Sequence, residues 1–180
     1  IRNRQKITVT VGQSEGDLRG SDDKILQAAI DYVHNLGGGT VKILPGTYTM
    51  RNSLFPKPGI TISGSGDKTI LFKSPGVSSK IIREADWFEY CVQVENPEGF
   101  TRGCGLALST DDKDPHKVSL FTVTDIIKNV LFLDKRTEAN FWMMEGARAS
   151  TRFSIIHGWD ADDINIEDLV LDGNMAENEH

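Results

Sequence analysis

The stretch from Gly37 to Met50, GGGTVKILPGTYTM, constrains the fold more than any other part of the chain. It sets three glycines after a run with helical spacing, then a short apolar strand, a Pro-Gly corner and a second strand. Upstream, Ser21 is a suitable N-cap, and Asp22 and Asp23 put negative charge where first-turn amides and the helix dipole favour it. Ile25, Leu26, Ala28, Ala29, Ile30 and Val33 then recur on one face, which predicts a helix with an apolar stripe to bury. Gly37 to Gly39 end that helix, because glycine adopts the left-handed C-terminal conformation and lets backbones approach closely. Val41, Ile43 and Leu44 are the candidates for a strand face that the helix covers. Pro45 fixes one backbone angle and Gly46 supplies the positive one, so the chain must turn sharply there.

The same grammar recurs. Lys57-Pro58-Gly59 is a corner, Ile60 to Ile62 a strand, Gly64-Ser65-Gly66-Asp67 another corner, and Thr69 to Phe72 another strand. It returns in Phe153 to Ile156, in a turn around Gly158 to Asp162, and in INIED and LVLDGN. From Val41 to Ile60 is nineteen positions. Short strands separated by turn residues, at a period of about twenty, predict a coil of sheet instead of a sandwich of hairpins.

The segments SDDKILQAAIDYVHNLGGGTVKILPGTYTM, GITISGSGDKTIL and INIEDLVLDGN resemble the beginning of the pectate-lyase-like right-handed parallel β-helix superfamily. The resemblance covers Val9 to Pro75 and Phe153 to Asn174. It implies a mostly-β fold, a right-handed parallel β-helix in which an N-terminal helix caps the open end and rungs of short parallel strands follow. That superfamily contains lyases, hydrolases, epimerases, esterases and non-catalytic phage and adhesin proteins, so the resemblance implies a fold and not one reaction.

Ser78 to Thr151 interrupts the rung period. FEYCVQVENPEGFTRGCGLALST and KVSLFTVTDIIKNVLFLDKRTEANF show alternating strands broken at Asn96 to Gly99, at Asp111 to Pro115 and at Lys128-Asn129. They predict an inserted small antiparallel β-barrel, similar to short barrel insertions in some tail-fibre and β-helix proteins. The expected organisation is cap and first rungs over 1–77, the inserted barrel over 78–151, and a return to rungs over 152–180. The catalytic rungs of such a protein are expected beyond His180, and the open end is expected to be closed by more rungs or by another copy, giving a homo-oligomer.

Charge and composition exclude other classes. The net charge of −6 leaves no basic patch for nucleic acid and would repel an anionic membrane. The start IRNRQKITVTVG lacks the apolar core of a secretory signal, so an exported protein would have lost it already. Cys91 and Cys104 lie thirteen positions apart and form no C-x-x-C pair, which argues against a zinc or redox site. Two free thiols and one disulfide both remain open.

Several motifs bear side chains capable of chemistry. Asp114-Pro115-His116 resembles the catalytic tripeptide of β-helix alginate epimerases, but Lys117 follows it, and a solvated turn is the expectation. GSGDKT lacks phosphate-loop spacing. The better cluster is His157, Asp160, Asp162 and Asp163, with Asp172 beyond and Arg148 and Arg152 flanking. Carboxylates of this kind serve as acid and base toward sugars, or hold Ca²⁺ against an acidic one. The plain alternative is a turn between rungs. On that cluster the candidate catalytic residues are Asp160, Asp162, Asp163 and His157. Trp159 and Arg152 are candidates for binding substrate, Ca²⁺ is the one cofactor considered, and no metal ligand is assigned. Trp87 and Trp142 fall in strand-like segments and are expected in the core or an interface. The expected function is therefore the N-terminal region of a secreted, extracellular carbohydrate-active protein acting on a polysaccharide as lyase, hydrolase or epimerase. The alternative is a non-catalytic glycan-binding, fibre or adhesin module.

Overall fold

The computed structural model describes residues 6–111 and 118–178. Asp114-Pro115-His116 lies outside the described residues. In chain order the regular elements are β1 (Ile7–Gly12), β2 (Leu18–Arg19), α1 (Asp23–Asn35), β3 (Gly39–Ile43), β4 (Gly46–Met50), β5 (Ile60–Ser63) and β6 (Thr69–Lys73). There follow β7 (Ser78–Lys80), β8 (Cys91–Gln93), β9 (Gly105–Ser109), β10 (Ser119–Ile127), β11 (Val130–Leu133) and β12 (Arg148–Ser150), then β13 (Asn165–Glu167) and β14 (Val170–Asp172). The protein is mostly β. It divides into two compact units, Ile1–Ser74 with Ser154–Asn174, and Pro75–Phe153 with Met175–His180.

The first unit is built from parallel sheets. One runs β13-β5-β3-β1-β2 and the other β14-β6-β4. Because strands stack in register, like residues form inward rows: Val9 pairs with Val41, Val41 with Ile62, and Ile62 with Ile166. On the second sheet Tyr48 pairs with Leu71, and Leu71 with Leu171. Val41 meets Ile62 and not Ile60, so the step between these strands is twenty-one positions, from 41 to 62, and on the second sheet it is twenty-three, from 48 to 71. Of Phe153 to Ile156, only Ile156 makes a ladder contact, a parallel bridge to Leu54.

The helix packs its apolar stripe against β1 and β3. Leu26, Ala29, Ile30 and Val33 are buried, whereas Ala28 turns outward. The N-cap is Asp22 rather than Ser21: its carboxylate accepts from Ile25 N–H at 3.4 Å. Ser21 instead gives its carbonyl to Thr49 N–H at 2.8 Å. At the other end Gly38 N–H reaches the Val33 carbonyl and Gly37 N–H the His34 carbonyl, a pairing that closes the last turn with Gly37 at φ +98°. Gly39 has a different reason to be glycine, since a Cβ there would collide with the Ile7 carbonyl on the neighbouring strand.

The second unit is antiparallel, with strand order β7-β12-β9-β10-β11-β8. Its core gathers Val92, Val94, Leu106, Leu108, Val123, Leu131, Phe141 and Ala149. Just past β7, Ile82 N–H donates to the Gln93 carbonyl, and Glu95 N–H donates to the Lys80 carbonyl. The two end strands of the order are thereby tied to each other. The Lys128-Asn129 break is the two-residue turn between β10 and β11, with Lys128 at φ +56°. Cys91 and Cys104 are not joined in a disulfide, and Cys104 is buried. Among the described residues no helix is long and apolar enough to cross a membrane.

Candidate functional site

The segment ADWFEY, residues 85–90, runs beside 137–142 in the second unit. Ala85 and Phe141, both fully buried, exchange backbone hydrogen bonds at 3.3 and 2.8 Å. That pair fixes the frame from which the next residues project. Asp86 to Glu89 then turn around Thr137, a fully buried hydroxyl. Thr137 Oγ1 donates to the Asp86 carbonyl at 2.5 Å and accepts from Glu89 N–H at 3.0 Å. The Thr137 carbonyl accepts from Phe88 N–H at 2.9 Å, and the Thr137 N–H returns a bond to the Glu89 carbonyl at 2.9 Å.

This clamp holds Phe88 at φ +72°. A bulky side chain rarely adopts the left-handed region, because its Cβ crowds the following carbonyl at a cost of about 1–2 kcal/mol. The reward is not burial: the Phe88 ring is 63% exposed. Trp87 stands beside it, edge to face at 5.8 Å, with its backbone N–H donating to Asn140 Oδ1 at 2.8 Å. Arg136 lies over the Tyr90 ring at 5.0 Å and over Phe88 at 6.0 Å, and its Nε donates to the Tyr90 hydroxyl at 2.8 Å. Arg83 pairs with Glu89 at 2.8 Å, and Glu84 accepts from Met143 N–H at 3.0 Å.

Trp87, Phe88, Tyr90 and Trp142 are all exposed. Trp87 and Trp142 are thus not core residues, so of the two places expected for them, core or interface, the structure rules out the first. Adjacent Trp87 and Phe88 cannot both face inward from an alternating strand, and the clamped turn puts both outside. The surface this makes is a ridge of aromatic faces set among carboxylates, guanidiniums and an amide. Such rings offer large, rigid apolar faces, and the polar groups between them both donate and accept hydrogen bonds.

The acidic turn lies in the first unit and is organised differently. His157 N–H donates to the Leu54 carbonyl at 2.9 Å, and its ring meets Phe55 edge to face at 6.0 Å. The Asp162 carbonyl accepts from Gly59 N–H at 3.2 Å, so backbone anchors this turn to the corner before β5. Asp160 and Asp163 take left-handed conformations, φ +51° and +55°, as Asp does in turns. Asp160, Asp162 and Asp163 are exposed, and Asp163 approaches Lys6 at 3.9 Å. Trp159 is 84% exposed. Arg152 belongs to the second unit, where its N–H donates to the Ser150 carbonyl at 2.8 Å. Among the described residues no group of three or more His, Cys, Asp or Glu side chains is placed to hold a metal ion. His157, Asp160, Asp162 and Asp163 stay candidates on residue type alone.

No family model matches the chain, and no curated protein matches it. Three solved tailspikes are similar to it. The tailspike gp61 of Pseudomonas phage phi297 is 12% identical with a TM-score of 0.39, over 82% of this chain and 31% of that one. The Gp54 tailspike of Acinetobacter baumannii bacteriophage AP22, solved in complex with A. baumannii capsular saccharide, is 12% identical with a TM-score of 0.37, over 69% and 24%. The tailspike protein gp49 from Pseudomonas phage LKA1 is 15% identical with a TM-score of 0.34, over 79% and 26%. The chain spans less than a third of the length of each. Likeness this distant assigns no activity, which has to come from the side chains.

Proposed function

We propose that this chain is a glycan-binding part of an extracellular carbohydrate-active protein, with a right-handed parallel β-helix capped by α1 and a small antiparallel barrel that presents the binding ridge. The in-register parallel rows support the coil, and the bonds tying β7 to β8 support closure of the second sheet. One observation carries the functional reading: Thr137 spends four hydrogen bonds on a turn whose effect is to hold an exposed phenylalanine in a strained backbone conformation. Strain kept at a residue whose side chain stays largely exposed is characteristic of binding sites. The apolar C–H face of a pyranose fits against such a ring, and its hydroxyls reach the flanking Glu, Asn and Arg groups.

Titration of the 180-residue protein with a panel of polysaccharide fragments, followed by tryptophan fluorescence and calorimetry, tests this. Phe88→Ala is expected to weaken the best binder about tenfold, equivalent to ~1.4 kcal/mol. Unchanged affinity in Phe88→Ala, with the variant fully folded, would remove the ridge as the site.

A further inference from the structure

A second feature of the antiparallel unit points to the kind of sugar involved. Lys80 on β7 lies directly opposite Arg148 on β12. Ile81 N–H donates to the Ala147 carbonyl, which makes that neighbouring pair a hydrogen-bonded one. Lys80 and Arg148 therefore form a non-hydrogen-bonded pair, the geometry in which facing side chains come closest. Like charges directly opposite each other destabilise a sheet. Arg148 is partly compensated by Asp111 at 3.1 Å. The Lys80 ammonium has no hydrogen-bond or ion-pair partner among the described residues, although Glu95 stands across the sheet on its other side.

These groups line one depression of about 360 Å³, with Ser78, Ser79, Lys80, Glu95, Asn96 and Arg148 around it. The volume suits one sugar residue. Asn96 and Ser79 are already ordered by a bond from Asn96 N–H to Ser79 Oγ at 2.9 Å, and Asn96 Oδ1 in turn holds Glu98 N–H at 2.9 Å. We infer that this depression binds an acidic sugar residue, its carboxylate received between the Lys80 ammonium and the Arg148 guanidinium and its hydroxyls by Ser78 and Glu95. The anion relieves the repulsion that the pair carries, and the Glu95 carboxylate accepts from a hydroxyl of the same sugar. The inference rests on the glycan-binding reading, and it narrows the ligand to a carboxylate-bearing polysaccharide.

The test uses the 180-residue protein with three probes: an oligogalacturonate, its methyl ester, and inorganic phosphate. Wild type should bind the oligogalacturonate about tenfold more tightly than the ester, the scale of one charge-assisted interaction. Lys80→Gln should abolish that preference without lowering Tm, while Lys80→Arg should keep it. Phe88→Ala should weaken acid and ester alike and leave their ratio unchanged, which separates failure of the ridge from failure of the depression. Equal affinity for acid and ester in wild type would overturn the inference, as would a preference that survives Lys80→Gln or a Tm that falls in Lys80→Gln. Phosphate binding as tight as the oligogalacturonate would also overturn it, reducing the depression to a simple anion site. No binding of either saccharide would overturn this inference, whereas the glycan-binding reading falls only if the wider panel of fragments also fails to bind.

Discussion

Ile166 pairs directly with Ile62 in a parallel ladder, yet Ile62 is fully buried and Ile166 is 40% exposed. Leu171 stands in the same relation to Leu71, 49% against 0%. The inward rows thus run on to Ile166 and Leu171, which the rest of these 180 residues leave part-exposed. Ile62→Asp should cost more than about 3 kcal/mol, since it buries an unpaired carboxylate, whereas Ile166→Asp in the same protein should cost less than about 1 kcal/mol. Urea denaturation with light scattering at several concentrations measures both. An equally severe, concentration-dependent loss for Ile166→Asp would show instead that a second copy covers this rung in solution.

The cap offers an internal reference for those numbers. Ile30 is 1% exposed on the buried stripe of α1. Ile30→Asp is expected to lower stability by several kcal/mol, about the size of the Ile62 change, because the charge has no partner there. A melting curve matching the parent would mean that α1 is not the cover of the coil.

Asp23 makes the same region pH-sensitive. Burial raises its pKa, against a backbone hydrogen bond from Arg51 N–H at 3.0 Å that acts to lower it. A folded-state value above the unfolded one means that the contribution to stability is complete below the unfolded value, near 3.8, and is lost as pH rises through the folded value. Asp23→Asn keeps an acceptor for Arg51 N–H and removes the titration. The stability of wild type relative to Asp23→Asn should therefore be greater at about pH 3 than at about pH 7. Paired urea titrations at the two pH values read the difference directly, and a change of opposite sign would contradict the assignment.

Much of the coil was legible because its signals are local. The helical spacing of Leu26, Ala29, Ile30 and Val33, the three glycines and Pro45-Gly46 each act within a few residues, and the structure keeps all of them. A rung step of about twenty is legible in the sequence, but the exact register is not, because it depends on which backbones meet, and Gly39 opposite Ile60 has no sequence signature. The N-cap moved from Ser21 to Asp22 for a similar reason: the Ser21 carbonyl is drawn into pairing with β4. The ridge was the least legible part. ADWFEY does announce itself by three aromatics in four positions, a density that alternation cannot bury. What decides its exposure is Thr137, forty-eight positions from Glu89, and a clamp over that separation leaves no periodic trace.

The clamp itself can be tested apart from any ligand. Thr137→Val preserves shape but strips the hydroxyl, leaving the Asp86 carbonyl and Glu89 N–H without their buried partner. The expected cost is about 1–3 kcal/mol, and Thr137→Ser should recover most of it. Backbone amide exchange at Phe88 and Glu89 should accelerate in the valine variant alone. Comparable stability for valine and threonine would show that the hydroxyl does not hold the turn.

The last prediction separates the Phe88 ring from the Phe88 backbone. Phe88→Ala and Phe88→Gly remove the same ring, so both should lose glycan affinity to the same extent. Their stabilities should differ, because alanine still suffers in the left-handed region at φ +72° and glycine does not. The glycine variant should be more stable than the alanine variant by about 1 kcal/mol, even though glycine has more unfolded-state freedom to lose. Thermal denaturation of the pair, alongside the binding titration, gives both quantities from the same samples. If alanine proved the more stable of the two, the backbone at Phe88 would not be strained, and the ring's exposure would need another cause than the Thr137 turn.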